Sequence, residues 1–284
     1  MTVTCLAFSG VIAEDGLDTF GAHHGTASRP SFSRWTRVTF AFNAASSTRD
    51  ATSTTRTVDL TGWMSPTAGD AIIVWAGGRG TANTFSFTPS GGGGGWVDIG
   101  SIVRCDFPSG PWGQRYGAMH AWFKVADGTE TSVTVTRSGG SQHRAGAALF
   151  RSPLGEVAEI LAGPNDHSTG SAASSTYTPP SFVAPRTLNV IEIVQAHTDV
   201  SGTMATANAQ GFTAHLQGPA GSTIPICNIY EQIVTAGTIT MPTSGSIGVV
   251  RPWVSKTFAL AAQLPPPTGG WSVGSIRWGF TPSS

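Results

Sequence analysis

The stretch Tyr116-Gly-Ala-Met-His-Ala-Trp-Phe-Lys-Val-Ala-Asp-Gly-Thr-Glu-Thr-Ser-Val-Thr-Val-Thr136 decides the fold class of this 284-residue chain. Apolar and polar side chains alternate with a period of two from Met119 to Ala126 and again from Ser132 to Thr136, as in half-buried β-strands. Asp127-Gly128 between the two runs tolerates the positive φ values of a tight turn. We therefore predict two antiparallel strands joined by a short turn, with one face of the pair in water.

The composition of the whole chain agrees with a β-rich fold. It contains 66 Ser or Thr and 36 Gly residues, which disfavour helices, and its 39% hydrophobic residues with nine Trp and fourteen Phe exclude disorder. Leu154–Leu161 comes closest to helical spacing, and we expect at most one or two turns there before Gly163-Pro164 ends them. Parallel α/β folds need a crossover helix between strands. Because the sequence shows almost no helical pattern, Rossmann-type and (β/α) barrel enzymes are excluded.

Two segments of the chain show the same order of elements. Each contains an apolar strand, a Gly-aromatic pair, a strand leading to a Gly-Thr turn, a Thr-rich strand and a closing aromatic strand. In the first segment these are Ala71–Trp75, Gly95-Trp96, Ala121–Thr129, Thr131–Thr136 and Ala147–Phe150; in the second they are Leu188–Val194, Gly211-Phe212, Ile229–Thr238, Ile239–Met241 and Thr257–Leu260. This order predicts a duplicated β-domain, and a chance likeness of two Thr-rich segments is the alternative.

We predict an all-β protein of two tandem antiparallel β-sandwiches, jelly-roll-like or immunoglobulin-like, with extended terminal segments. The predicted parts are an N-terminal segment, 1–55; a first sandwich, 56–155; a linker, 156–173; a second sandwich, 174–264; and a Pro-rich spacer with a C-terminal strand, 265–284. Trp35–Phe42 alternates like a strand, whereas Ala44–Thr57 is polar enough to be a loop. The predicted core residues are Phe123, Val125, Val133, Val135, Leu149 and Phe150 in the first sandwich, and Val190, Ile193, Phe212, Ile229, Ile233 and Phe258 in the second.

Charge and cysteine content exclude several classes of function. The formal net charge is zero without charge runs, so nucleic-acid binding is not expected. No apolar stretch approaches the ~18 residues of a membrane helix, and the first residues lack the basic start of a secretory signal, so we expect the chain not to be exported. Cys5, Cys105 and Cys227 are too far apart for a CxxC site and are predicted to be buried free thiols.

The sequence carries no motif for phosphate, serine-hydrolase or zinc-protease chemistry, and we predict no cofactor, no metal and no catalytic residue. Gly91–Gly95 is interpreted as a flexible loop tip. His23-His24, Asp166-His167 and His197-Thr-Asp199 are interpreted as surface loops, although a symmetric oligomer could bring such histidines together around a metal.

Two carboxylates in apolar strands form the basis of a hydrolase hypothesis. Glu192 and Glu231 either lie on a solvated strand face or point into the interior, and a glycosidase would need the two facing each other in a cleft. We favour the solvated face.

Aromatic residues provide two further candidate sites. Trp96 and Trp112 lie beside Gly or Pro and, if exposed, could stack on sugar rings. Trp271, Ile276, Trp278 and Phe280 follow the stiff Pro-Pro-Pro spacer and are candidates for an assembly interface, because a terminal strand with so much apolar surface is rarely left in water.

The string Tyr116–Thr136, preceded by Ala68-Gly-Asp-Ala-Ile-Ile-Val74 and Gly95-Trp96, resembles a β-sandwich repeat of virion proteins from tailed bacteriophages. The likeness is weaker in the second segment, where Arg186-Thr187 replaces Gly-Asp and Phe212 replaces Trp. This resemblance implies a scaffold used in capsid decoration, head fibres and tail parts, without catalytic residues.

From these observations we expect a non-enzymatic virion protein, made in the cytoplasm of a host bacterium, that decorates the capsid or forms part of the tail. Its expected partners are major capsid or tail proteins and further copies of itself, for example in a trimer, without nucleic acid or membrane. The alternative is a carbohydrate-binding or host-receptor-binding module of the virion that uses exposed Trp residues.

Overall fold

The structure is a computed structural model that describes residues 40–50, 53–61, 65–80, 84, 86–110, 113–140, 142–151, 157–168, 181–196, 211–216, 226–239 and 252–263. Within these ranges the regular secondary structure consists of β-strands, without helix, and the strand pairs are antiparallel. The all-β prediction is therefore confirmed.

The first half, residues 40–151, forms a large sheet and a small sheet. Its strands are β1 Ala41–Asp50, β2 Thr55–Asp59, β3 Ala71–Gly80, β4 Ser86–Gly91, β5 Val97–Asp98, β6 Val103–Gly110, β7 Gly113–Val125, β8 Ser132–Ser138 and β9 Gln142–Arg151. The first large sheet has the order β1-β9-β3-β7-β5, with β6 also paired to β7, and the first small sheet has the order β2-β8-β4.

The second half, residues 157–263, also forms a large sheet and a small sheet. Its strands are β10 Ala158–Ser168, β11 Phe182–Ala184, β12 Leu188–Ala196, β13 Thr213–Leu216, β14 Ile226–Val234, β15 Gly237–Ile239 and β16 Trp253–Ala262. The second large sheet has the order β10-β16-β12-β14-β13, and β11 pairs with β15 in the second small sheet.

The two large sheets have matching strand orders. The central strand, β3 or β12, lies between the closing aromatic strand, β9 or β16, and the strand that precedes the Gly-Thr turn, β7 or β14. The short strand after the Gly-aromatic pair, β5 or β13, adds beside β7 or β14 in each half. The order in the chain and the order in the sheet therefore correspond between the halves.

The four sheets stack in layers with three apolar cores between them. The first small sheet packs on one face of the first large sheet through residues such as Val58, Phe87 and Val133. The second small sheet packs on the second large sheet through Phe182 and Ala184. A third core joins the inner faces of the two large sheets and contains Ile73, Trp75, Phe150, Ile191, Ile193, Ile229 and Phe258. The halves thus share a core instead of packing as two separate sandwiches.

Alternation along the strands explains why both faces of each large sheet are apolar. In β3, Ile73 and Trp75 face the other half while Ile72 and Val74 face the small sheet, and the whole of β3 is buried. At the edges, β1 contacts β13, and β6 contacts β10 and β16. The first large sheet therefore lies along the second from edge to edge.

The structure corrects two predicted loops. Residues 158–168, placed by the sequence in the linker 156–173 and partly in a helical turn, form the edge strand β10. Residues 41–50, which include the first half of the polar segment Ala44–Thr57, form the edge strand β1. An edge strand can carry Ser, Thr and Arg, because it is held by backbone hydrogen bonds to one neighbour, here β9, and these bonds do not depend on the type of side chain. Of the predicted strand Trp35–Phe42, the residues before Phe40 lie outside the described ranges.

The predicted hairpin around Asp127-Gly128 is also wrong. β7 and β8 do follow the alternating runs, but β7 pairs with β3 in the large sheet, whereas β8 pairs with β2 and β4 in the small sheet. The turn between them connects two layers. Trp122 of β7 faces Val133 of β8 across the core between the first large and small sheets, whereas Met119 and Phe123 of β7 face the second half.

Most of the predicted core residues are buried, including Phe123, Val133, Val135, Leu149, Phe150, Val190, Ile193, Phe212, Ile229 and Phe258. Val125 is half-buried. The prediction for Ile233 is wrong, because 54% of this residue is exposed near the end of β14.

Candidate functional site

The candidate residues divide between the described ranges and the rest of the chain. Trp112, Trp271, Ile276, Trp278 and Phe280 lie outside the described residues, as do His23, His24, His197 and Asp199. Trp96 is described. Asp166 and His167, predicted in a surface loop, lie instead in β10.

Trp96 is held by the glycine loop that precedes it. Its ring is half-buried against the core between the first small and large sheets, and Nε1 donates to Gly91 O at 3.0 Å. Gly91–Gly95 all have φ between 57° and 80°, a left-handed run that only glycine adopts without strain. A Cβ on Gly92 would lie 3.1 Å from the indole, so the absence of side chains also lets the loop lie close to the ring.

A buried ion pair fixes the other side of this loop. Lys124 Nζ lies 2.8 Å from Glu130 Oε1, and the two side chains are 8% and 0% exposed. Lys124 also donates to Gly92 O and lies 6.0 Å from the centre of the Trp96 ring. Glu130 accepts hydrogen bonds from the backbone N–H groups of Asp127 and Gly128. Lys124 therefore links the glycine loop to the turn between β7 and β8.

Electrostatics at Glu130 favour its ionised form. Burial raises the pKa of Glu130, but the hydrogen bonds from Lys124 and from the Asp127 amide outweigh burial, so the net pKa is lowered.

Next to the glycine loop, Val97 is 61% exposed. A partly exposed indole of fixed orientation beside an exposed Val is the geometry that the surface around Trp96 offers to a ligand.

Polar links cross the interface between the halves on one side. Lys256 of β16 is fully buried; Nζ donates to Ser101 O at 2.9 Å and lies 2.6 Å from Asp166 Oδ1. Close by, His120 Nε2 lies 3.2 Å from Gly100 O and 3.4 Å from Asp98. Burial lowers the pKa of His120, so its ring is held in the neutral form in this setting.

A second polar link lies near the opposite edge. Asn189 Nδ2 donates to Phe40 O at 2.7 Å, Asn189 Oδ1 accepts from Phe40 N at 2.8 Å, and Asn189 also donates to Glu231. Glu231 Oε2 lies 2.7 Å from His215 Nε2. This chain of hydrogen bonds attaches Phe40, the residue before β1, to the second large sheet. Nothing in the sequence predicted that Asn189 or His215 takes part in a contact between the halves.

The two carboxylates of the hydrolase hypothesis do not meet. In the register of β12 and β14, Glu192 pairs with Tyr230 while Glu231 pairs with Ile191. Neighbouring residues of a strand point to opposite faces, so Glu231 faces the first half and Glu192 faces the second small sheet. The preference for a solvated position is wrong for both residues, because Glu192 is fully buried and the Glu231 side chain is only 11% exposed.

Cys105 and Cys227 are buried free thiols, as predicted, and Cys5 lies outside the described ranges. Burial raises the pKa of Cys105 above that of an ordinary thiol and raises the pKa of Cys227 to about 12, so neither is a thiolate at neutral pH. Among the described residues, no group of three or more His, Cys, Asp or Glu side chains is arranged to hold a metal ion. That same part of the chain contains no helix long and apolar enough to cross a membrane.

Comparison with protein-family models, with curated proteins and with solved structures finds no match to this chain.

Proposed function

We propose that this chain is a non-enzymatic structural protein of a tailed-bacteriophage virion, which decorates the capsid or forms part of the tail as an oligomer. The observation that carries the proposal is the shared core of the two halves, in which Trp75 and Phe150 of the first large sheet pack with Ile193 and Phe258 of the second. Such stacking makes one stiff body from two sandwiches, and stiffness suits a part held in an assembly. The resemblance of Tyr116–Thr136 to repeats of virion proteins supports the virion as that assembly.

The ionisable side chains of the described residues support a structural role more than a catalytic one. Lys256 is held by Asp166 and Lys124 by Glu130, while Arg151 Nη2 lies 3.0 Å from Asp70. Each pair joins two strands or a strand and a turn. These charges are engaged in links between elements and do not converge on a common point.

Oligomerisation through the C-terminal segment is the part of the proposal that can be tested directly. Light scattering on the full chain should give an oligomer, and a chain ending at Leu264 should be a monomer with an unchanged circular dichroism spectrum. Loss of self-association with retained fold would support the role of Trp271, Ile276, Trp278 and Phe280. A full chain that is monomeric at all concentrations, or a truncated chain that still assembles, would contradict it.

A carbohydrate-binding or receptor-binding module is the second candidate, and the half-buried Trp96 beside the exposed Val97 favours it. The indole N–H is used by Gly91 O, so a sugar would be bound by stacking on the ring face. A glycan array with the full chain tests this candidate, with Trp96→Ala and Trp112→Ala as variants and Val97→Ala as the control for the neighbouring surface. Binding that is lost in either Trp variant would favour the module over the structural protein.

A further inference from the structure

Glu192 is a carboxyl group without a hydrogen-bond partner in the interior of the second half. The residue is fully buried in the middle of β12, and neither Oε1 nor Oε2 has a partner. An unpaired ionised carboxylate in such a place costs several kcal/mol, and even a neutral carboxyl loses its hydrogen bonds to water. A buried group of this kind calls for an explanation, and an ion or water is the usual one.

Two buried hydroxyl groups lie beside Glu192 on the same face of the sheet. Thr257 is the direct partner of Glu192 on β16, and Ser255, two residues earlier on that strand, pairs with Val194. Both residues are fully buried, and neither Thr257 Oγ1 nor Ser255 Oγ has a hydrogen-bond partner. Direct cross-strand partners such as Glu192 and Thr257 have Cβ atoms about 5 Å apart, and a diagonal neighbour such as Ser255 lies about 7–8 Å away, within reach of the long Glu192 side chain.

Packing does not require this polar region. The corresponding face of β3, which packs on the first small sheet, carries Ile72, Val74 and Ala76, all of them fully buried. The same face of β12 carries Val190, Glu192 and Val194. Since an apolar row fills the equivalent place in the first half, the carboxyl and hydroxyl groups of the second half serve something other than filling the core.

The donor set indicates the chemistry of the missing partner. Carboxylate and hydroxyl oxygens suit hard cations and not soft metals. On this face, the described side chains of β12, β14 and β16 include no Lys, Arg or His, and Tyr230 OH accepts a hydrogen bond from Asn228. On the edge strand β10, Asn165 and His167 are the register partners of Thr257 and Ser255. A single carboxylate balances one positive charge.

We propose that Glu192, Thr257 and Ser255 bind a monovalent hard cation, such as Na⁺, between the second large and small sheets. The ion neutralises Glu192 and is coordinated by the two hydroxyl oxygens. It acts as a structural ion that stabilises the second half, and this role is independent of where the protein is located.

The test measures unfolding of the full chain in NaCl and in choline chloride at equal ionic strength. An ion that binds only the folded state raises the ratio of folded to unfolded protein about tenfold at a concentration ten times its Kd. We expect this gain for the wild-type chain in sodium, and its loss in Glu192→Gln and in Thr257→Val. Glu159→Gln, the same loss of charge at a partly exposed position of β10, should keep the sodium response.

Three outcomes overturn the proposal. Equal stability of the wild-type chain in sodium and choline would mean that Glu192 is buried in its neutral form. A sodium response that persists in Glu192→Gln would place the ion elsewhere. A response to CaCl₂ that is larger than the response to sodium, and is abolished by Glu192→Gln, would contradict the monovalent assignment. Because Glu192→Gln and Thr257→Val remove different atoms, a folding defect in one variant leaves the other as the test.

Discussion

Gln195 of β12 occupies the space above Gly77 of β3. A Cβ built on Gly77 would lie 1.5 Å from Gln195 Oε1, and Gln195 Nε2 donates to Ala118 O at 3.1 Å. Gly77 is an extended strand residue with an ordinary φ, so its backbone conformation does not require glycine. Glycine is required because Gln195 lies so close to its Cα atom. One glycine in the first half thus admits one long side chain from the second, and this contact fixes how the two large sheets lie on each other.

Gly77→Ala should destabilise the protein by about 1–3 kcal/mol, because the new methyl group and the Gln195 amide cannot occupy the same space. Without that clash, Ala would stabilise a strand interior relative to Gly by about 0.5–1 kcal/mol. Urea unfolding followed by circular dichroism gives the free energy of unfolding for the variant.

A double-variant cycle separates this contact from other effects. In a Gln195→Ala background the space above residue 77 is open, so Gly77→Ala should be neutral or stabilising there. If Gly77→Ala costs the same free energy in both backgrounds, the contact between Gln195 and Gly77 does not determine the packing of the halves.

The buried pair Lys124 and Glu130 should contribute strongly to the stability of the first half. Lys124→Met leaves the fully buried Glu130 carboxylate without its cation, and breaking a buried pair in this way costs about 3–5 kcal/mol. The variant should also release the glycine loop, which Lys124 holds through Gly92 O, and so alter the fluorescence of Trp96. The double change Lys124→Met with Glu130→Gln should recover part of the loss. A Lys124→Met protein with unchanged stability would show that the pair is not needed.

The positions of the central strands were predicted well from the sequence, whereas the edge strands β1 and β10 were not. The alternation at Met119 to Ala126 and at Ser132 to Thr136 corresponds to β7 and β8, and Ala71–Trp75 lies in β3. Period-two alternation reports one property, namely which residues face a core, and this property is local.

Sheet membership was not predictable from the same pattern. The runs on either side of Asp127-Gly128 look like a hairpin, yet they enter different sheets. β8 covers one face of the large sheet, while the other face, with Met119 and Phe123, packs on the second half. Likewise Glu192 looked like the polar residue of a half-exposed strand, since a single strand does not reveal that a second sheet covers each face. These features depend on contacts between residues far apart in the chain.

Acid should destabilise the protein through His143. Burial, together with the nearby charges of Arg137 and Arg56, lowers the pKa of His143 from its ordinary value of 6.5 to about 3. Between these two values the unfolded chain binds a proton that the folded chain does not, so stability falls as the pH drops through this window, by up to about 1.4 kcal/mol per pH unit. His143 is fully buried and is the register partner of Asp50 on β1.

His143→Leu should flatten the dependence on pH within this window, and it can be measured by urea unfolding at several pH values. The stability of the wild-type chain and that of the variant would then converge or cross as the pH is lowered. Parallel curves for the two proteins would mean that His143 becomes protonated in the folded state, despite its burial near Arg137 and Arg56.

Asp166→Asn should destabilise the junction between the halves in a way that depends on pH. Burial lowers the pKa of Lys256, and the hydrogen bond from Lys256 to Asp166 opposes that effect in the wild-type chain. Without the carboxylate, the pKa of the buried Lys256 falls further below its unfolded value, so the unfolded chain holds more protons than the folded one. Stability of the variant relative to wild type should therefore rise with pH, with a smaller deficit at about pH 9 than at about pH 7. Lys256→Met combined with Asp166→Asn removes the titrating amine and should show no such rise. If Asp166→Asn lost the same free energy at both pH values, the Lys256 amine would have to keep its proton through Ser101 O and Asp98, and Asp166 would not be its counter-ion.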